Sequence, residues 1–221
     1  MGELFACYCF FTPQKFKGRI FMDKIIKKFQ NIFTTKNIAG MAIFSALSFI
    51  TYLLEIPIMA STPASFLELD FSNVFVLLAG FIYGPIPAIM VTLVKESIHI
   101  LIGSTGGVGE FANIILTVVF VAVPTIVYRY KKGIKTVILT LAIACVLQSG
   151  ASLLTNKFIN FPFFMGSAPF VTTDFSNMMF NSMWQYILIF NVIKTITISV
   201  LTVLLYKRVK HLFKTINIME K

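Results

Sequence analysis

The 221-residue chain is 57% hydrophobic and only 13% charged, with a mean hydropathy of +0.85, whereas soluble domains run at roughly 45–50% apolar and about 25% charged. A water-soluble fold of this size cannot hide that much apolar surface, so a soluble enzyme or binding domain is excluded and a bilayer is the expected solvent. The net charge of +10 falls in three clusters between apolar runs, not on one accessible face, which fits membrane topology and argues against nucleic acid as a partner.

Residues 1–37 are mixed and basic, carrying Lys15, Lys17, Arg19, Lys24, Lys27, Lys28 and Lys36. They suit either an amphipathic helix lying on anionic lipid or the topogenic signal of the first span. The apolar run from Leu4 to Phe11 has no basic residue before it, so it is a poor secretory signal. Cys7, Cys9 and Cys145 form neither a disulfide framework nor a zinc site.

Five apolar runs follow, over residues 38–56, 71–102, 111–128, 136–154 and 184–206. Pro57 ends the first, because it cannot continue a helix. The second would be about 48 Å long as one helix, far beyond the roughly 30 Å hydrocarbon core, and Gly84-Pro85 divides it. Tyr128, Tyr130, Trp184 and Tyr206 near run ends fit interfacial aromatic belts. The basic clusters are residues 1–37, Arg129-Lys131-Lys132-Lys135 and Lys207-Arg208-Lys210-Lys214. Positive charge stays cytoplasmic, so an even number of spans must separate each pair. Splitting at Gly84-Pro85 gives four and then two. The expected fold is an all-α integral membrane protein, a six-transmembrane-helix bundle with both termini cytoplasmic. Residues 38–207 form its membrane domain, between a basic cytoplasmic segment (1–37) and a basic cytoplasmic tail (208–221).

The outer loops are then residues 57–70, 103–110 and 155–183. The last is long and apolar, which suits a lid packed over the bundle.

Ionisable groups inside spans are functional hypotheses by default. Lys194 lies near the middle of the last run, and Asn191, three residues earlier, shares its helical face. Together they suit a ligand presenting carbonyl oxygens and an N–H. Lys194 can equally pair with a carboxylate from another helix and fasten the bundle. Lys95, Glu96 and His99 sit nearer the outer end of their span, where structural ion pairs are cheap; the alternative is the proton relay of a stand-alone secondary carrier. No second His or Cys stands at metal-ligand spacing, so no metal site is expected.

The glycine-rich stretch at residues 103–110 lacks the Lys-Ser/Thr of a phosphate loop. Gln148-Ser149-Gly150-Ala151-Ser152 is not a nucleophile elbow. No catalytic residue is assigned, and neither enzymatic activity nor ATP hydrolysis by this chain is expected. Ala42 and Ala46, at i and i+4 on the first span, make a small-residue face that either meets another subunit or packs within the bundle.

These residues, in this order, resemble the substrate-binding (S) components of energy-coupling factor (ECF) transporters, most closely the riboflavin-specific members. The resemblance runs from Ala42 to Lys207. It rests on Ala42-x-x-x-Ala46, Phe66-Leu67-Glu68-Leu69-Asp70-Phe71-Ser72 and Gly80-Phe81-Ile82-Tyr83-Gly84-Pro85. It continues through Lys95, His99, residues 106–113, Asn191-x-x-Lys194 and Tyr206-Lys207. Asn73, Phe75 and Ile189 stand where the riboflavin members would have Asp, Pro and Pro. The resemblance implies a six-helix bundle of the bacterial cell membrane that captures its vitamin from outside. Its partners would be a transmembrane coupling subunit, met by Ala42 and Ala46, and two cytoplasmic ATPase subunits. Riboflavin or a related flavin would be the transported ligand, with no cofactor besides. Asn191 and Lys194 inherit flavin contacts, as does Asn156 by a looser match, and Glu68 and Leu69 inherit loop contacts. An S component for another vitamin is the alternative. Residues 1–21 match nothing in that family, and a complete S component could begin at Met22, so they are expected to be dispensable.

Overall fold

The computed structural model describes residues 33–103 and 106–216, with side chains through 208. The segment expected to be dispensable, most of the N-terminal basic stretch and the last five residues lie outside the described residues. Gly40 and the residues before it form one unit, and Met41 onward forms a second, which holds the helix bundle and its cavity.

Among the described residues there are six longer helices: α1 (Thr35–Tyr52), α2 (Ser72–Tyr83), α3 (Pro85–Ile100), α4 (Val108–Tyr130), α5 (Ile134–Thr155) and α7 (Asp174–Ile216). Between α5 and α7 the chain passes through a wide π-helical turn (Asn156–Asn160) and a short α6 (Phe161–Phe164). Among the described residues no strand forms, only a single antiparallel bridge between Ile56 and Leu69. Among the described residues three stretches are long and apolar enough to cross a membrane: Val108–Tyr130, Ile134–Phe164 and Asp174–Arg208. Ser72–Tyr83 is a shorter apolar helix.

The break at Gly84-Pro85 is where the sequence places it. Gly84 ends α2 with φ at 108°, left-handed backbone that suits glycine, and Pro85 opens α3. Two other boundaries differ from expectation. The first helix stops at Tyr52, not near Pro57, because Ile56 exchanges both backbone hydrogen bonds with Leu69, at 3.0 and 2.8 Å. Glu55 therefore belongs to the loop. The last helix starts ten residues before Trp184. There Thr173 and Ser176 cap each other, Ser176 Oγ accepting from the Thr173 amide (2.9 Å) and Thr173 Oγ1 from the Ser176 amide (3.2 Å).

Helix faces are partitioned for lipid. In α5 the buried stripe includes Thr140, Gln148, Ser149, Ser152 and Thr155, while Ile138, Leu139, Ile143, Val146, Leu147 and Leu154 point outward. An exterior more apolar than the interior is costly in water and natural in a bilayer. In α1, Met41, Ser45, Ser48 and Tyr52 face inward. Ala42 and Ala46 are exposed, on a surface with Ile43, Leu47 and Ile50.

Successive helices alternate in direction. The Tyr128 and Tyr206 hydroxyls, near the ends of α4 and of the described side chains of α7, lie 2.5 Å apart, and Phe81 of α2 packs on both rings. This brings Arg129 beside the Gly84 turn, so the two later basic clusters share one end of the bundle. Close approach at this level depends on Gly80, where an added Cβ would lie 2.3 Å from Thr125 Cγ2. The opposite end is formed by the C-termini of α1, α3 and α5 and the N-termini of α2 and α4, and it opens into a cavity.

Candidate functional site

The cavity measures about 630 Å³, within the roughly 300–1,000 Å³ range of small-molecule sites. The 53–71 loop contributes Glu55, Phe66, Leu67, Glu68 and Asp70. The α5–α7 connector contributes Asn156, Asn160, Phe161, Phe164 and Met165, and α7 contributes Met179, Met183, Phe190, Asn191 and Lys194. The wall is thus mostly apolar and aromatic, with a few polar groups in fixed places.

Lys194 lies on the wall at 8% exposure, and its Nζ pairs with Asp70 Oδ2 at 2.5 Å. Of the two roles open to this residue in the sequence, the pairing with a carboxylate is realised, and the side chain also borders the cavity. It faces the cavity and it holds a buried carboxylate, supplied not by a helix but by the loop entering α2. The two are compatible because an ammonium has three donors. Asp70 also accepts from the Ser72 amide at 3.0 Å and from the Ser72 hydroxyl. Burial pushes its carboxyl pKa up, but the charges of Lys194 and Lys95 outweigh that and hold it well below the usual carboxylate range.

Behind this pair the network runs into the core. Lys95, with no exposure, bonds Glu96 at 2.9 Å, Ser72 Oγ at 2.8 Å and Asn73 Oδ1 at 3.5 Å. Its ammonium sits 4.7 Å from the centre of the Tyr52 ring. Asn113 Nδ2 donates to Glu96 Oε1 at 2.6 Å. His99 stacks on Tyr52, with centroids 4.0 Å apart, and bonds Glu110 at 2.9 Å. Lys95 and Glu96 are therefore held in an ion pair and His99 in a hydrogen bond to Glu110, close structural partners of the kind that their position in the span favours.

The remaining candidates separate. Asn191 lines the cavity, its Nδ2 donating back to the Ile187 carbonyl at 2.9 Å. Asn156 lines it too, with Nδ2 on the Ser152 carbonyl (2.8 Å) and Oδ1 accepting from Asn160 Nδ2 (3.1 Å). The π-helical turn brings both Asn156 and Asn160 onto the wall, a use to which such turns are often put. Among the described residues, Asn160 Oδ1 is buried without a hydrogen-bond partner. Glu68 is on the wall, as is Glu55. Leu69 is not on it. Its side chain is buried and its backbone is engaged by Ile56, and Leu67 takes the wall position. Ala42 and Ala46 lie outside the cavity, on the outward face of α1.

Asp70, Glu55, Asn160 and Tyr52 are cavity residues that sequence reasoning did not select. Asp70 carried a signal as one of two carboxylates in the 66–72 motif, and Glu55 as an ionisable group at the end of the first apolar run. Among the described residues no group of His, Cys, Asp and Glu could hold a metal ion.

Residues 36–206 match the family described as ECF transporter, substrate-specific component. The riboflavin transporter RibU of Staphylococcus aureus is 32% identical over 84% of this chain and 96% of its own length. The riboflavin transporter FmnP of Bacillus subtilis is 26% identical over 79% of this chain and 92% of its own. A solved structure, reported for the S component of a bacterial ECF transporter, superposes with a TM-score of 0.69 at 30% identity. It covers 81% of this chain and 98% of the other.

Proposed function

The chain belongs to the substrate-specific components of ECF transporters, and from that membership we propose that it captures riboflavin at the outer face of the membrane for ATP-driven uptake. It is a multi-pass bacterial membrane protein of a transporter family, not of an enzyme family. In the proposed arrangement all six longer helices cross the bilayer, residues 38–207 form the membrane domain, and both basic termini are cytoplasmic. Two later basic clusters gathered at the end opposite the cavity support that orientation, because positive charge stays inside. The outward small-residue face at Ala42 and Ala46 docks on a transmembrane coupling subunit, which two cytoplasmic ATPases drive.

The observation that carries the riboflavin assignment is the juxtaposition of Lys194 and Asn191 on a mostly apolar and aromatic wall. An isoalloxazine is a flat, largely apolar tricycle with one edge bearing two carbonyls and an N–H. Lys194 donates to a carbonyl, and Asn191 can both donate and accept. Asn156 and Glu68 face the same space and serve the hydroxylated side chain, while the π-turn and α6 act as the lid. Close partners for Lys95 and Glu96, both fully buried, leave little for the relay of a stand-alone carrier. The test is direct. The purified chain titrated with riboflavin should quench flavin fluorescence at a one-to-one end point. Absence of quenching at micromolar protein, with binding of another vitamin, would assign the cavity to that vitamin instead.

A further inference from the structure

Three helices measure how deep the loop between α1 and α2 lies. Tyr128 and Tyr206 meet at the inner end of the bundle, with Phe81 of α2 against both rings. Along α7, Trp184 stands about 33 Å above Tyr206 at about 1.5 Å per residue. That is close to the roughly 30 Å of a hydrocarbon core, so these two residues bracket the apolar layer. α2 has 12 residues and rises only about 18 Å. Lys194, paired with Asp70 where the loop enters α2, is likewise about 18 Å above Tyr206. Lys95 is about 15 Å above Pro85. It bonds Ser72 Oγ at the start of α2 and lies over the ring of Tyr52 at the end of α1. Both ends of the 53–71 loop are therefore rooted near mid-membrane, and the loop fills about the outer 12 Å of the apolar layer on this side.

The loop is built for that depth. Its three ionisable residues, Glu55, Glu68 and Asp70, all line the cavity, and it has no Lys, Arg or His. Leu53, Leu54, Ile56 and Ile58 are off the cavity wall and 41–62% exposed. Irregular backbone is tolerated at membrane depth only where its polar groups are satisfied or it lines protein or a cavity. Here Ile56 and Leu69 pair, and the amides of Ile58, Ala60, Thr62 and Leu67 close local turns. Pro57 and Pro63 have no amide to satisfy. In water the four aliphatic side chains would form an uncovered apolar patch; at this depth acyl chains cover them.

We propose that the 53–58 face of this loop is a lipid-contact surface, immersed among the acyl chains of the outer leaflet, while the loop's carboxyl groups face the cavity behind it. The loop is then the wall between the lipid and the ligand site. This rests on the membrane arrangement proposed above and not on which vitamin the cavity takes.

The test uses the full chain in liposomes, with tryptophan as the reporter. The chain has one Trp, so Trp184→Phe gives a silent background. Leu54→Trp and Ile58→Trp are placed in it one at a time, with Ala168→Trp, in the exposed turn before α7, as the aqueous reference. Lipids brominated on their acyl chains quench tryptophan in the hydrocarbon, and iodide quenches it in water. Leu54→Trp and Ile58→Trp should lose most of their emission to brominated lipid and be quenched by iodide severalfold less than Ala168→Trp. On the unmodified chain, a lipid carrying a photoreactive diazirine in mid-chain should label peptides spanning 53–58, read by mass spectrometry; this holds even if a variant folds poorly. Iodide quenching at 54 and 58 equal to that at 168, or diazirine labels confined to the helices, would overturn the proposal. Quenching at 54 and 58 by neither agent would mean that protein covers the face, and overturns it as well. Acyl-chain quenching at 168 too would overturn the membrane arrangement itself, and the proposal with it.

Discussion

In the proposed site Lys194 makes two kinds of contact, one to the flavin and one to Asp70, and a double-mutant experiment separates them. Lys194→Ala removes a charge-assisted hydrogen bond to the flavin, worth about 1.5–3 kcal/mol, so affinity should fall roughly ten- to a hundredfold. The same change strands Asp70, which is 1% exposed. Breaking a buried pair costs about 3–5 kcal/mol of stability. The cost here should sit at the low end or below, because Asp70 keeps the Ser72 amide and hydroxyl, and Lys95 remains linked to it through Ser72. Lys194→Ala/Asp70→Asn removes both charges, so it should recover much of the lost stability. It should not recover affinity, because the ammonium facing the cavity is still gone. Thermal unfolding and riboflavin titration on the wild type, the single variant and the double variant give all the terms. If the double variant binds riboflavin as tightly as wild type, Lys194 only fastens the loop to α7, and its ligand role is refuted.

Ala42→Leu and Ala46→Leu should abolish riboflavin uptake in cells while the isolated subunit binds within about twofold of wild type, since both side chains are outside the cavity and the core; parallel loss of binding would count against an interface. Cysteines placed at Gly106 and Ser167 should react with impermeant reagents from outside, and one at Gly133 only from inside; an external Gly133 would break the six-span arrangement. Burial, then the neighbouring Glu68 carboxyl, push the Glu55 carboxyl pKa from 4.5 up to about 8, so between those values the folded chain keeps a proton that the unfolded chain has lost. Its contribution to stability therefore declines as pH rises from about 5 to 8, and Glu55→Gln should lack that decline in thermal unfolding; parallel curves for the two proteins would rule the effect out.

Much of the fold is legible because bilayer chemistry is coarse. Charge parity requires a break in residues 71–102, and Gly84-Pro85 is the one place where left-handed backbone meets a residue with no amide hydrogen, and the chain does turn there. Helix ends are less legible, because tertiary bonds set them. Nothing local in Leu53-Leu54-Glu55-Ile56 forbids another helical turn; the bridge to Leu69, thirteen residues on, unwinds it. The apolar 155–183 segment reads as a loop because it mixes Pro, Gly and Phe. Yet its first ten residues continue α5 as a π-turn and α6, and its last ten belong to α7.

The site divides along the same line. Lys194 and Asn191 are legible because a charge and an amide on one face of an apolar helix are costly in lipid and therefore conspicuous. Their partners are not, because loop acids are cheap in sequence and become costly only when the fold buries them. Asp70 stands in loop sequence and Glu55 at the very end of the first apolar run, where a carboxylate is cheap. The fold gives one to a lysine 124 residues away and puts the other on the cavity wall with Glu68. Asp70 consequently ties the 53–71 loop to α7 across the cavity, and anything that engages the Lys194 ammonium also acts on that tie. On the proposed role of Lys194, ligand capture and loop position are linked through this ion pair, which makes Asp70 the residue whose replacement should most directly uncouple them.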